Sequence, residues 1–255
     1  MKTKIDLNLK NLQQKQKTYI IILGLLIALA FIVYKKQNQR NINKEFDKFF
    51  SQWKVYGIDV SEYQGTIKWT EVSHIFGEHK IYFTFIRATA GNDKVDTKFT
   101  TNWKEIKNTN ILRGAYHYYR PNENSIEQAN NFIKTVKLSK GDLPPVLDIE
   151  KISSIQSLKN LKKGLKKWLN KVEKHYGVKP IIYSGSSYFT DYLKTEFSNY
   201  NLWIANYNRT KVPIKHDWKI WQYSDKGRVK GVKEKVDINV FDGKIEELKT
   251  WRLQK

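Results

Sequence analysis

From Trp53 onward the chain alternates short apolar runs with stretches whose apolar residues recur every three or four positions. The runs Val55–Val60, Ile81–Arg87, Ile111–Tyr118, Pro145–Ile149, Pro180–Ser184, Leu202–Asn206, Lys219–Tyr223 and Val236–Phe241 are mostly rich in β-branched and aromatic residues, as buried strands are. Helical spacing falls between several of them. Asn102–Lys107 is short, and Ser125–Leu138 repeats Ile126, Ala129, Ile133 and Val136. Ser157–Tyr176 is the clearest, with Leu158, Leu161, Leu165, Trp168, Leu169 and Val172 on one side; Ser186–Leu193 is another. Gly177 is a stop for the long helix, and Pro180 opens the next strand. This order predicts an α/β fold, an irregular (β/α) barrel related to the TIM barrel. The last three strands are too close in sequence for full crossover helices, so the C-terminal closing section should be helix-poor and partly antiparallel. A doubly wound open sheet competes, but no glycine-rich phosphate loop follows the first strand to support its nucleotide-binding version.

Before Trp53 the pattern changes. Residues 20–33 carry no charge, Tyr19 and Tyr34 flank them, and lysines stand on both sides. A helix over 19–34 would be about 24 Å long, slightly short of a bilayer core. The basic leader 1–18 points to insertion with the N-terminus in the cytoplasm. Two outcomes fit: an uncleaved signal anchor, which the uninterrupted apolar run favours, or a signal peptide cut near Ala30 and a secreted product. Either places the remainder outside the cytoplasmic membrane. Residues 35–52 are a polar stalk, 53–243 the barrel, and 244–255 a charged tail.

Charge narrows the partners. The chain carries +21, of which residues 1–40, with eight Lys/Arg and one Asp, supply +7 and leave +14 for the exported part. Such a field favours anionic polymers or surfaces. With no zinc-finger spacing and no isolated basic helix, nucleic acid is not expected as a partner; much of the lysine excess in 157–177 reads as a solvated helix face. There is no cysteine, which excludes disulfides, thiolate catalysis and Cys–metal sites, and the histidines have no metal-ligand spacing.

Acids stand where strands end. Asp148 and Glu150 are two apart, so on an extended backbone they point the same way, at the tip of an apolar run. Asp59 lies near the end of the first strand and Asp237 near the start of the last. In a barrel such residues share one cleft with Arg87, Tyr116, Tyr118, Tyr183, Trp203, Tyr207, Gln222, Trp221 and Tyr223. Crowded carboxylates cannot all ionise cheaply, so one keeps its proton and another stays charged, the two roles glycosidic cleavage requires. Plainer roles stay open: Asp59 as a loop cap, Asp237 in an ion pair, the tyrosines as core or rim. His117 is read as a packed, hydrogen-bonded histidine, and Asp142, after Gly141, as a turn residue.

In order along the chain, YGIDVSEYQG (56–65), FIRATAG (85–91), the set Asp96, Phe99 and Asn102, RGAYHYYRP (113–121), PPVLDIE (144–150), IIYSG (181–185), LWIANY (202–207), IWQYS (220–224) and VDINVF (236–241) resemble the Chalaropsis-type lysozymes, glycoside hydrolase family 25. The resemblance covers residues 54 to 242. It implies a β-1,4-N-acetylmuramidase that cuts peptidoglycan, with Glu150 as proton donor and Asp148, Asp59 and Asp237 as the other acids of the site. Tyr63, Arg87, Tyr116, Tyr118, Tyr183, Trp203, Tyr207 and Gln222 are the expected substrate-binding residues. No cofactor or metal is implied, and the catalytic domain is expected to be monomeric in an exported bacterial protein. Ala90 departs from the family's usual Glu. A catalytically silent glycan-binding module on the same barrel is the alternative.

Overall fold

A computed structural model describes residues 23–38, 54–207 and 218–254. The chain forms two units, Met1–Gln52 and Trp53–Lys255. In the first, residues 23–38 form helix α1, with its side chains exposed. The expected span 19–34 begins outside the described residues, as does most of the stalk. Among the described residues no helix is long and apolar enough to cross a membrane.

The second unit is built on β1 (Tyr56–Val60), β2 (His74–Ile75), β3 (His79–Ala90), β4 (Lys94–Val95), β5 (Leu112–Tyr118), β6 (Val146–Asp148), β7 (Ile181–Gly185), β8 (Leu202–Ala205), β9 (Ile220–Gly227) and β10 (Val236–Phe241). The sheet runs β1-β10-β9-β8-β7-β6-β5-β3-β2, β4 pairs with β3, and an additional β1–β3 pairing closes it. Leaving aside the two-residue strands β2 and β4, the ten strands reduce to a closed mixed barrel of eight. Every joint is parallel except the two that β10 makes with β1 and β9. One strand is therefore reversed, and the start of β10 lies level with the ends of its neighbours.

Helices cover the outside: α2 (Phe99–Glu105), α3 (Ser125–Thr135), α4 (Leu158–Tyr176) and the broken pair α5 (Ser186–Tyr188) and α6 (Lys194–Phe197), joined by a wider turn. Leu161, Leu165, Trp168, Leu169 and Val172 of α4 are buried, the face its periodicity marks. Ser157 caps its first turn through Asn160 N (3.3 Å), and Gly177 ends it at φ 69°, ψ 17°, where a side chain would be strained. Residues 244–255 are more than a charged tail. They form α7 (Ile245–Thr250), whose Leu248 is fully buried in the core cluster.

Alternation along the strands sorts the interior. Inward positions fill the barrel with Phe83, Phe85, Val146, Ile181, Tyr183, Trp203, Ile220 and Phe241. Phe85 stacks on Trp203 with centroids 4.8 Å apart. A Cβ on Gly57 or Gly114 would lie 2.4 Å from the Phe83 or Phe85 ring, so both motif glycines exist to admit a ring. Outward positions pack on helices. His117 stacks on Trp168 (5.5 Å), with Thr89 at Nδ1 (2.7 Å) and Gln128 Oε1 at Nε2 (3.1 Å). Burial pushes this imidazole down to about 4, so it is a neutral core residue, as expected.

One expectation is corrected here. Asp142 is not a mere turn residue. Its carboxylate takes Arg113 Nε at 2.7 Å and a second guanidinium nitrogen at 3.0 Å, both side chains being buried, and it also accepts from Ser139 N (2.8 Å). The Arg113 plane lies 3.8 Å over the Trp103 ring. The partner that makes Asp142 structural lies 29 residues away, beyond the reach of local sequence reasoning.

Candidate active site

Continuing each inward face by one step brings polar groups to the end of the barrel where the parallel strands finish. Gly57 leads to Asp59, Phe85 to Arg87, Val146 to Asp148 and Gly114 to Tyr116 and Tyr118. Because β10 is reversed, Asp237, near its start, comes to the same end and stands opposite Asp59 in the register. A cleft of about 430 Å³ results, lined by Asp59, Asp148, Glu150 and Asp237, with Tyr63, Arg87, Tyr116 and Tyr118 as walls. Asp59 and Asp148 are 6 % and 5 % exposed, whereas Glu150 is open to solvent.

The acids are held unequally. Asp59 Oδ1 accepts from Asn239 Nδ2 (2.7 Å) and Gln222 Nε2 (2.9 Å). Those amides are fixed from behind: Tyr183 and Tyr207 hydroxyls donate to Gln222 Oε1 (2.8 and 2.7 Å), and Trp203 Nε1 donates to Asn239 Oδ1 (2.7 Å). Burial raises the Asp59 carboxyl and the two amides oppose it; burial also raises Asp237, and the Asp59 charge raises it further. The amides thus bias the facing pair toward an Asp59 anion and a protonated Asp237.

Asp148 has no such support. Its Oδ1 is buried without a hydrogen-bond partner. Burial, then the charges of Glu150 and Asp59, push its pKa well up, and Arg87 only partly offsets them. Glu150 is raised too, by the shielding of the cleft walls, with Lys151 pulling the other way. Both carboxyls of this pair are thus pushed toward their protonated forms in the free protein.

The expected substrate set divides in two. Tyr63, Arg87, Tyr116 and Tyr118 line the cleft, but Tyr183, Trp203 and Gln222 are buried behind it and act on Asp59. Tyr207 is half exposed and joins the same network. Trp221, whose Nε1 donates to Asn206 O (2.9 Å), is likewise a packing residue. Arg87 is anchored by Asp96 (2.9 Å) and Glu62 (2.9 Å), and its guanidinium lies 4.8 Å below the exposed Tyr63 ring. Ser61 and Gln64 form a capping box around the single turn that carries Tyr63, with Ser61 N donating to Gln64 Oε1 (2.8 Å). Asp96 ties this turn down through Glu62 N (2.9 Å), and Asn102 accepts from Trp69 Nε1 (3.1 Å), so two polar members of the 96–102 set are scaffold.

Sequence reasoning passed over Asn239, Glu62, Lys94 and Arg120. For Asn239 the signal was present: it lies two residues from Asp237 on one strand, hence on the same inward face. Among the described residues no group of three or more His or acidic side chains is arranged to hold a metal ion.

The sequence profile of Glycosyl hydrolases family 25 matches residues 58–232. The Escherichia coli K12 protein YegX is 40% identical over 204 residues, covering 79% of this chain and 74% of that one. Lysozyme M1 of Streptomyces globisporus is 32% identical over 209 residues, covering 76% of this chain and 70% of that one. A family 25 glycosyl hydrolase structure from Bacillus anthracis superposes with a TM-score of 0.71 at 31% identity, covering 79% of this chain and 94% of that one. With its acids gathered at one barrel end and this extent of likeness, the chain belongs to glycosyl hydrolase family 25.

Proposed function

We propose that the protein is a lysozyme that hydrolyses the β-1,4 bond between N-acetylmuramic acid and N-acetylglucosamine in peptidoglycan. The observation that carries this reading is the cleft itself, where one open carboxyl, Glu150, stands beside the buried Asp59 and Asp148 and the partly buried Asp237, acids from three different strands. Glu150 protonates the glycosidic oxygen as the bond breaks. Asp59, kept anionic by the Gln222 and Asn239 amides, faces the positive charge that grows at the anomeric carbon. Asp148 receives the acetamide N–H of the sugar on its unpartnered oxygen. That bond stabilises the Asp148 anion, and the proton it held in the free protein passes to Glu150, which is thereby loaded as the acid. The oriented acetamide oxygen then assists at the anomeric carbon, and water completes the hydrolysis. Tyr63, Tyr116 and Tyr118 offer ring faces and hydroxyls to the saccharide.

The barrel is read as an irregular relative of the (β/α)8 kind, since seven of its eight strands share one direction. Export is part of the reading, because the substrate lies outside the cytoplasmic membrane. Cell fractionation separates an anchor over 19–34 from a product released near Ala30.

The test is digestion of purified peptidoglycan by the parent and by Glu150→Gln, with mass analysis of the new reducing ends. Muramic acid ends from the parent, lost in the variant, are expected. Glucosamine ends would reassign the bond, and binding without new ends from the parent would make this a glycan-binding module.

A further inference from the structure

A groove runs down the outside of the barrel between α3 and α4. It consists of two hollows, about 650 Å³ and 630 Å³, that share Asn130. Lys163 and Lys167 line the upper one; Lys134, Lys137, Lys171 and Lys174 line the lower. The upper hollow starts where the catalytic cleft ends. Arg120 lines the cleft and pairs at 3.1 Å with Glu123, which lines the hollow. From Lys163 to Lys174 the ladder extends about 16 Å along α4.

The charge here is not that of an ordinary solvated helix. Helix α4 holds seven lysines against one glutamate. Lys162 and Lys166, on its other flank, pair with Glu196. Lys163, Lys167, Lys171, Lys174 and Lys134 make no ion pair with any described residue. Lysines at 163, 167 and 171 repeat at the i,i+4 spacing, where like charges destabilise a helix. The C-terminal dipole favours Lys174 but gives Lys163 and Lys167 nothing, since they sit mid-helix. Of the acids at the upper end, Glu123 is paired with Arg120 and Glu127 accepts only from the neutral Asn92 amide (3.4 Å), so one acid stands against the lysines of the two hollows. What remains is a concave track with a net cationic excess, whose lysines make no ion pair within the described residues.

We propose that this track docks the carboxylate-bearing peptide stems of peptidoglycan, so that a glycan strand in the cleft lays its stems down the barrel wall. Preference for an anionic chain follows from the groove; the choice of peptidoglycan rests on the function proposed above. A concave track with lysines on both sides of its lower hollow and on the α4 side of its upper one suits a flexible linear polycarboxylate better than a flat lipid surface.

The test is co-sedimentation of the full chain, on ice, with peptidoglycan sacculi stripped of attached polymers. The groove variant is Lys163→Gln/Lys167→Gln/Lys171→Gln/Lys174→Gln, which keeps helix propensity. A control of equal charge change is Lys54→Gln/Lys68→Gln/Lys104→Gln/Lys107→Gln. The groove variant should bind about tenfold more weakly, as expected for four exposed ion pairs, and the control about as well as the parent. Sacculi whose carboxylates have been amidated should bind the parent as weakly as untreated sacculi bind the groove variant. Turnover of a soluble, stem-free glycan fragment should be unchanged, which separates this proposal from the catalytic one. Equal losses in the two variants, or indifference to amidation, would overturn it. So would tighter binding of inorganic polyphosphate or duplex DNA that depends on the same lysines.

Discussion

Asp142 and Asp148 stand six residues apart, before and at the end of strand β6, and both are buried. Around Asp142 the requirements of a buried carboxylate are met: a two-pronged guanidinium, a backbone N–H and an aromatic plane behind the arginine. Around Asp148 they are not: one oxygen has no partner, and its largest electrostatic neighbours, Glu150 and Asp59, are acids. A protein stabilised for its own sake would build the first site twice. On the proposed function, the difference separates a group that serves the fold from one whose missing partner the substrate supplies.

The comparison can be broken at four points. Glu150→Gln should lower turnover on peptidoglycan by about 100- to 10,000-fold with thermal unfolding unchanged; activity within tenfold of the parent would remove Glu150 as the acid. Asp142→Ala should do the reverse, costing about 3–5 kcal/mol in urea unfolding by leaving Arg113 buried and unpaired, while folded molecules keep their turnover number. Asp148→Asn should lower turnover by at least about tenfold without lowering the melting temperature, because a neutral group replaces one that burial already drives to hold a proton. A clear drop in melting temperature would place Asp148 with Asp142 as structural. The smallest effect is expected for Asn239→Ala. Asn239 stabilises the Asp59 anion, so its loss raises the Asp59 pKa, and the acid limb of the pH–rate profile should move to higher pH. Turnover at the optimum should fall about tenfold or less.

The strands were legible because the barrel is filled from inside and covered from outside, so each reads as an apolar run. Strand β3 extends three residues beyond the run that ends at Arg87, since Ala88, Thr89 and Ala90 are buried by the segment that returns through β4. The acids were legible through the two-residue period that sets Asp148 beside Glu150. The inner layer was not. Tyr183, Trp203 and Gln222 were expected against substrate but stand one layer deeper, and period alone cannot tell the lip of a barrel from the layer beneath. Asp142 was misread because its partner comes from the other side of a strand and helix. The apolar run 20–33 was read as an export signal; the described part of it lies in the helix over residues 23–38, which is not long and apolar enough to cross a membrane.

The reversed strand β10 has a consequence for the order in which a nascent molecule becomes dangerous. One of the four acids, Asp237, arrives with the Asn239 amide that steadies Asp59 on β10, the last of the barrel strands to be synthesised, and that strand must slot between β1 and β9. A chain still emerging from the ribosome already carries Asp148 and Glu150 but has no finished cleft. Cutting power is withheld until the ring shuts.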